Sequence, residues 1–265
     1  MTIPRLHVVD TLGPRKRIAL DRDATHYLVS VMRRAAGDSV RLFNGRDGEW
    51  EAVVTAASRK SAELECRTQR REQSFPPDVE LLFAPVKKAR TDFIVEKATE
   101  LGARSIRPVI TARTIADRVR TDRLSALARE AAEQTERLDL PVIAEAEKLD
   151  RVLDGWGERT LIFCDEAGDA RPMLEVVQEL AHPTPTLPSR GGGLALSPSP
   201  SGEGRGGGQG VSILIGPEGG FAPEERERIR AVPKAIPVTL GPRILRADTA
   251  AAAALTLWQA VCGDW

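Results

Sequence analysis

Two glycine-containing turns in this sequence bring together residues suited to chemistry on a bound ligand. Ile215-Gly216-Pro217-Glu218-Gly219-Gly220-Phe221 follows the apolar run VSILI and precedes a helix start near Pro223. Proline near the first helical position, with Glu224 and Glu225 in the first turn, suits the free N–H groups and the dipole of a helix N-terminus. Glycines at the carboxyl edge of a strand admit a ligand close to the backbone, and in open α/β sheets ligands bind at that edge. No Gly-Lys-Ser/Thr follows, so the motif is not a phosphate-binding P-loop; a tight structural turn is the plain alternative. Leu240-Gly241-Pro242-Arg243-Ile244-Leu245-Arg246-Ala247-Asp248-Thr249-Ala250 also follows an apolar run and opens the last helix. Guanidinium groups at Arg243 and Arg246 could grip a carboxylate or phosphate bidentately, or each could pair with a surface acid.

Other reactive residue types contribute less. His7, His26 and His182 lack the spacing of a zinc site, so no metal is expected. Cys66, Cys164 and Cys262 have no CxxC spacing and read as free thiols of a reducing compartment. Cys164, at a strand end, reads as a small apolar residue and not a nucleophile.

The elements that must position the two turns fall into two grammars. Before about residue 72 the runs IAL, SVRLFNG, EWEAVVTAAS and SAELECRT alternate apolar and polar residues between Gly and Asp turns, with one helical stretch from Ala24 to Arg34. This predicts a small β-barrel or half-barrel, followed by a linker, RREQSFPPD (Arg70 to Asp78), in which consecutive prolines block helix and central strand. After Asp78, the buried-strand runs VELLFAP, IRPVI, TLIFCD, VSILIG and IPVTLG alternate with helical patterns. Thr91 to Leu101 and Asp122 to Leu138 each place apolar residues on one face, and an Ala-rich helix begins near Asp248. The fold class is therefore α/β with a mostly parallel sheet behind a small β-rich domain.

Composition narrows the partners. The chain has 265 residues with 38 Lys+Arg against 38 Asp+Glu, which excludes a uniformly basic nucleic-acid-coating protein but not a basic face. Residues 1 to 71 carry 14 Lys/Arg and 9 Asp/Glu, a local excess that alone reads as solvated surface. No run approaches the roughly 18 apolar residues of a membrane span, and the N-terminus lacks the apolar region of a secretory signal, so a soluble cytoplasmic protein is expected. From His182 to Gln209 the chain holds 13 of its 40 Pro and Gly residues, and we read that segment as a disordered insertion. It contains a GxGxxG match at Gly202, Gly204 and Gly207 that lacks the strand and helix context of a dinucleotide site.

With its two C-terminal motifs in order, IGPEGGF then LGPRILRADTA, the chain resembles the 16S ribosomal RNA uridine-N3 methyltransferases of the RsmE type, in the SPOUT superfamily. TDFIVEKATELGA (Thr91 to Ala103), EAAEQTERLDLPVI (Glu130 to Ile143), PRLHV near Arg5 and HYLVSVMRRAAGDSVRLFNG (His26 to Gly45) agree as well, so the resemblance covers all but the insertion. Three positions depart from the pattern. Asp248 stands where Glu is usual, a shorter carboxylate still suited to a helix cap. Ala222 replaces a common Ser, and Met32 a usual Leu.

The resemblance implies a PUA-like RNA-binding domain over 1–72. It also implies a SPOUT methyltransferase domain over 73–265, threaded into a trefoil knot and forming a homodimer. S-adenosylmethionine would sit among Phe163, Cys164, Ile215, Gly216, Pro217, Gly219, Gly220, Leu240, Gly241, Ile244 and Leu245. The partner would be 16S rRNA of the small ribosomal subunit, met by Arg5, Arg33, Arg34, Arg137 and Arg243. Attack by uridine N3 requires loss of its imide proton, which Glu218 or Asp248 could accept, and Arg246 could stabilise the charge developing on the base. The Ala-rich last helix, with Leu255, Leu257 and Trp258, offers apolar surface for the second subunit. A SPOUT enzyme acting on another RNA site, or a non-catalytic ribosome-assembly protein, are the competing readings.

Overall fold

The computed structural model describes residues 3–115, 119–165, 170–182 and 210–265. The segment read as an insertion lies, apart from His182, outside the described residues, as does its GxGxxG match.

The N-terminal part is a curled five-stranded sheet built from β1 (Arg5–His7), β2 (Arg17–Ala19), β3 (Ser39–Phe43), β4 (Glu49–Ala57) and β5 (Ala62–Arg71), in the order β1-β3-β4-β5-β2. β1 pairs parallel with β3 and the other neighbours are antiparallel. Alternate inward residues, among them Leu6, Ile18, Val40, Leu42, Ala52, Val54 and Leu64, form a core of their own, as the period-2 pattern requires. The expected helix over Ala24 to Arg34 differs: α1 (Arg22–His26), capped by Asp21, runs into a wider helical turn over Tyr27–Val31. The chain leaves that turn at Arg33 with φ 53. β5 continues through Arg71, so the proline-rich connection is shorter than the expected Arg70 to Asp78.

The rest is a three-layer α/β unit. β6 (Val79–Phe83), β7 (Ser105–Ile110), β8 (Val142–Ile143), β10 (Thr160–Cys164), β11 (Arg171–Pro172), β12 (Val211–Ile215) and β13 (Ala235–Thr239) lie in the order β11-β13-β10-β12-β6-β7-β8, with β9 (Glu147–Lys148) also on β7, and every pairing is parallel. Helices cover both faces, which explains strands that are apolar throughout. Leu81, Phe83, Ile162, Ile213 and Ile215 face α2 (Lys88–Glu100), α3 (Thr121–Gln134), α5 (Met173–Ala181) and α7 (Ala247–Cys262). Leu82, Leu161, Phe163 and Leu214 face α4 (Leu149–Asp154) and α6 (Pro223–Arg230).

Two expectations about helices change. α3 ends at Gln134 and not at Leu138, because Glu136 adopts φ 59 and turns the chain; Leu138 is buried all the same. Leu255 and Trp258 of α7 are buried within this chain, while Leu257 is half-buried. Among the described residues no helix is long and apolar enough to cross a membrane.

Candidate active site

β10, β12 and β13 are neighbours in register: Phe163 lies opposite Leu214, and Cys164 opposite Val238. Their carboxyl ends therefore finish level, and the segments that follow converge. Cys164 and Asp165, the turn from Gly216 to Gly220, and Leu240 to Leu245 line one cleft of about 180 Å³, backed by Ala247 and Ala250 of α7. In chain order β12 is followed by β13, yet β10 lies between them. Such a change of strand order opens a crevice at the carboxyl edge of a parallel sheet.

Glycine is required here for identifiable reasons. Gly220 and Gly241 have φ of 67 and 115, and no atom lies within 4 Å of where a Cβ would stand. Backbone geometry, with open space beside it, selects glycine at both. Gly216 is tight instead: a Cβ there would meet the Phe221 ring at 3.0 Å.

Charge is arranged in two groups. Asp165, at the end of β10, has a fully buried carboxylate that pairs with Arg226 Nε at 3.0 Å and Arg230 Nη2 at 2.9 Å. Both arginines lie on α6, so this buried pair ties the helix after the glycine turn to the strand beside it. At the mouth, Arg90 Nη1 of α2 donates to Glu218 Oε1, and Arg90 Nε stands 3.9 Å from Asp248 Oδ2. The loop after β7 joins the same wall. Arg113 Nη1 donates to the Gly219 carbonyl at 2.6 Å, and the Ala112 N–H to Glu225 Oε1 at 2.6 Å.

Helix starts differ from expectation in detail. Ala222 offers no side-chain cap, but Glu225 Oε2 reaches back to accept the Ala222 N–H at 3.0 Å, half of a capping box. Asp248 is not the cap of α7. Arg246 holds the N-cap position, and the Asp248 carboxylate lies in the first turn, accepting the Thr249 N–H at 3.0 Å.

Of the residues expected at the cofactor, Cys164, Ile215, Gly216, Pro217, Gly220, Leu240, Gly241, Ile244 and Leu245 line the cleft, joined by Glu218 and Arg243. Phe163 does not. It is buried in the sheet, with its ring edge-on to Phe221 at 6.4 Å. Gly219 adjoins the cleft but turns its carbonyl to Arg113, and Arg246 is exposed beside the cleft instead of lining it.

The arginines expected on RNA separate. Arg33 is exposed and Arg34 half-buried after the helical turn. Arg5 is buried: Nε donates to Glu49 Oε1, Nη1 to the carbonyls of Ala132 and Glu133, and Nη2 to that of Arg137, with the guanidinium over the Phe43 ring. Arg137 is also turned inward, donating to Asp139 and to the Thr99 carbonyl. Arg5 joins the N-terminal sheet to the end of α3 and the turn after it, and Arg137 ties that turn to the end of α2. His7 beside them is pushed down to about 4, by burial first and then by Arg129 and Arg46. Burial pushes the neighbouring Glu133 carboxyl up.

Sequence reasoning missed Arg90, Arg113, Asp165 and Arg226. Only Asp165 carried a signal, an acid placed directly after the apolar run TLIFC.

Residues 73–259 match the RNA methyltransferase domain family, and residues 20–65 the RNA methyltransferase PUA domain. A protein of Synechocystis named ribosomal RNA small subunit methyltransferase E is 30% identical over 242 residues, covering 90% of this chain and 71% of its own. One of the same name from Rickettsia conorii is 27% identical, covering 96% and 94%. In fold, the chain resembles the ribosomal RNA small subunit methyltransferase E of Neisseria gonorrhoeae, solved bound to S-adenosyl methionine, with a TM-score of 0.80, 23% identity and 99% coverage of each chain. A Legionella pneumophila protein solved with bound SAM gives 0.81, 24% and 100% of each.

Proposed function

The chain belongs to the RNA methyltransferase family, in the group named ribosomal RNA small subunit methyltransferase E, and from that membership we propose that it methylates N3 of a uridine in 16S rRNA of the small ribosomal subunit, with S-adenosylmethionine as donor. One observation carries the reading: three adjacent parallel strand ends deliver their loops to a single cleft, with Glu218 in its wall.

The residues present fit that donor. Exposed strand ends offer backbone N–H and C=O groups for an adenine edge and ribose hydroxyls, and Leu240, Ile244 and Leu245 offer apolar faces. The space beside Gly220 and Gly241 is room a Cβ would fill. In this reading the holding residues are Cys164, Ile215, Gly216, Pro217, Gly220, Leu240, Gly241, Ile244 and Leu245, with Gly219 shaping the turn. When bound, the donor supplies a sulfonium-activated methyl group, so the protein need not activate the carbon.

What remains for the chain is to place the base, exclude water and take a proton. Asp165 also lines the cleft but is buried between Arg226 and Arg230, so Glu218, in the cleft wall, and Asp248, in the first turn of α7, are the carboxylates we assign to that task. Arg246, exposed at the start of α7, meets charge that grows on the base as its proton leaves. Arg33 and Arg34 on the N-terminal domain, with Arg243 at the cleft, contact phosphates. This division of labour separates residues 1–72 from 73–265. A trefoil threading of the larger domain, a homodimer and a cytoplasmic setting belong to the same reading.

The test is transfer of labelled methyl groups to assembled small subunits and to naked rRNA fragments. We expect transfer to subunits and much less to fragments. Binding of S-adenosylmethionine without transfer to either would overturn the reading.

A further inference from the structure

Glu218 and Asp248 come from different segments, and a single side chain reaches both. Arg90, in the first turn of α2, donates from Nη1 to Glu218 Oε1 and brings Nε to 3.9 Å from Asp248 Oδ2. The two carboxylates are not equivalent: Glu218 lines the cleft and Asp248 does not.

The element that presents Arg90 is held firmly. Next to it, Thr91 Oγ1 donates to the Val86 carbonyl at 2.9 Å and accepts the Val86 N–H at 3.1 Å, closing the turn into α2 in a buried setting. One residue further on, both oxygens of Asp92 accept from Arg123 of α3. α2 also packs along α7, the helix that carries Asp248. A guanidinium presented in this way can hold a partner carboxylate in one orientation, which is what proton transfer at a bound base needs.

We propose that Arg90 is a positioning residue for the proton-transfer step: it fixes the Glu218 carboxylate at the cleft as the proton acceptor, and Asp248 serves as Arg90's second counter-charge. The inference rests on the methyl-transfer reading above. In the step, the imide N–H bond of the base breaks, its proton goes to a carboxylate oxygen of Glu218, and the bonding pair stays on nitrogen. Arg90 exchanges no proton. A surface ion pair without function, or a clamp on an RNA phosphate, would use the same side chain differently.

Single-turnover methyl transfer to small subunits separates these roles. Arg90→Met and Arg90→Lys are measured alone and in Glu218→Gln and Asp248→Asn backgrounds, alongside calorimetric affinity for S-adenosylmethionine and melting temperature. We expect Arg90→Met to lower the rate at saturating subunits about tenfold or more. KM for subunits, cofactor affinity and melting should stay near wild type, and Arg90→Lys should recover part of the rate. Arg90→Met should add nothing in the Glu218→Gln background, and Asp248→Asn should reproduce a weaker form of its defect, an arm that stays readable if Glu218→Gln loses all transfer. An unchanged saturating rate, a defect confined to KM, the same fold-loss in the Glu218→Gln background, or a loss that tracks melting would each overturn the proposal. Wild-type protein that binds the donor yet transfers nothing would instead overturn the reading on which it rests.

Discussion

Arg5 Nε donates to Glu49 Oε1 at 2.7 Å, with side-chain exposures of 5% and 1%, and the remaining nitrogens of Arg5 close the carbonyls at the end of α3. One buried side chain thus satisfies an acid of the N-terminal sheet and the open C-terminus of a helix in the methyltransferase unit. Arg5→Met leaves buried Glu49 with only Arg41 Nη1, 3.6 Å from its Oε2, and uncaps the helix, and should cost about 3 kcal/mol in denaturant unfolding. RNA affinity should fall only as the fold is lost. A variant of unchanged stability that binds RNA poorly would restore the nucleic-acid role expected from sequence.

The same junction makes stability depend on pH. The folded-state pKa of His7, about 4, lies below its ordinary 6.5, so the fold prefers the neutral ring and the unfolded chain takes up the proton first. The contribution of His7 is therefore complete above about pH 6.5 and lost progressively as pH falls toward 4. Glu133 opposes it: its raised carboxyl pKa lets the fold hold a proton to higher pH, a contribution that grows on acidification. His7→Gln removes one side of this balance. Between pH 7 and pH 5 its melting temperature should fall about 2–4 °C less than that of wild type, corresponding to about 1 kcal/mol after allowing for solvent screening. An equal or larger fall would show that His7 is not the group that titrates.

Much of the α/β unit could be read from the chain because its strands are apolar runs of the right length and its loops carry Gly and Pro at the right places. VSILI-GPEGG and IPVTL-GPR each announce a strand, a turn and a ligand-facing edge. What stayed hidden depends on contacts far apart in sequence. Arg90 and Glu218 are separated by 128 positions, and Arg5 and Arg137 by 132. Local pattern cannot distinguish an arginine buried across a domain junction from one left on the surface, and Arg5 and Arg137 both turn inward. Phe163 stays hidden for a related reason: the apolar run TLIFC marks the end of β10 but not which face of the strand Phe163 occupies.

Gly241 tests the shape of the cleft. Its φ of 115 is one that an L side chain adopts at a cost of about 1–3 kcal/mol. Gly241→Ala should therefore weaken S-adenosylmethionine about tenfold by calorimetry while the protein still folds. Unchanged affinity would mean that this loop does not hold the donor.

Arg33, Arg34 and Arg246 should separate binding from chemistry. Replacing Arg33 and Arg34 together with Ala should weaken subunit binding and flatten its log–log salt dependence by roughly one to two units, with donor affinity unchanged. Arg246→Ala should lower the single-turnover rate at saturating subunits about a hundredfold, with a smaller change in affinity. If Arg246→Ala loses only affinity, this arginine is a phosphate contact and not a catalytic group.

The identity of the methylated nucleoside decides whether uridine N3 is the acceptor. Small subunits from a strain lacking this gene are incubated with the protein and S-adenosylmethionine carrying a deuterated methyl group, and the 16S rRNA is digested for nucleoside mass spectrometry and mapped. We expect label in 3-methyluridine at a single position of 16S rRNA. Label in any other nucleoside, or in none while the donor binds, would rule out methyl transfer to uridine N3.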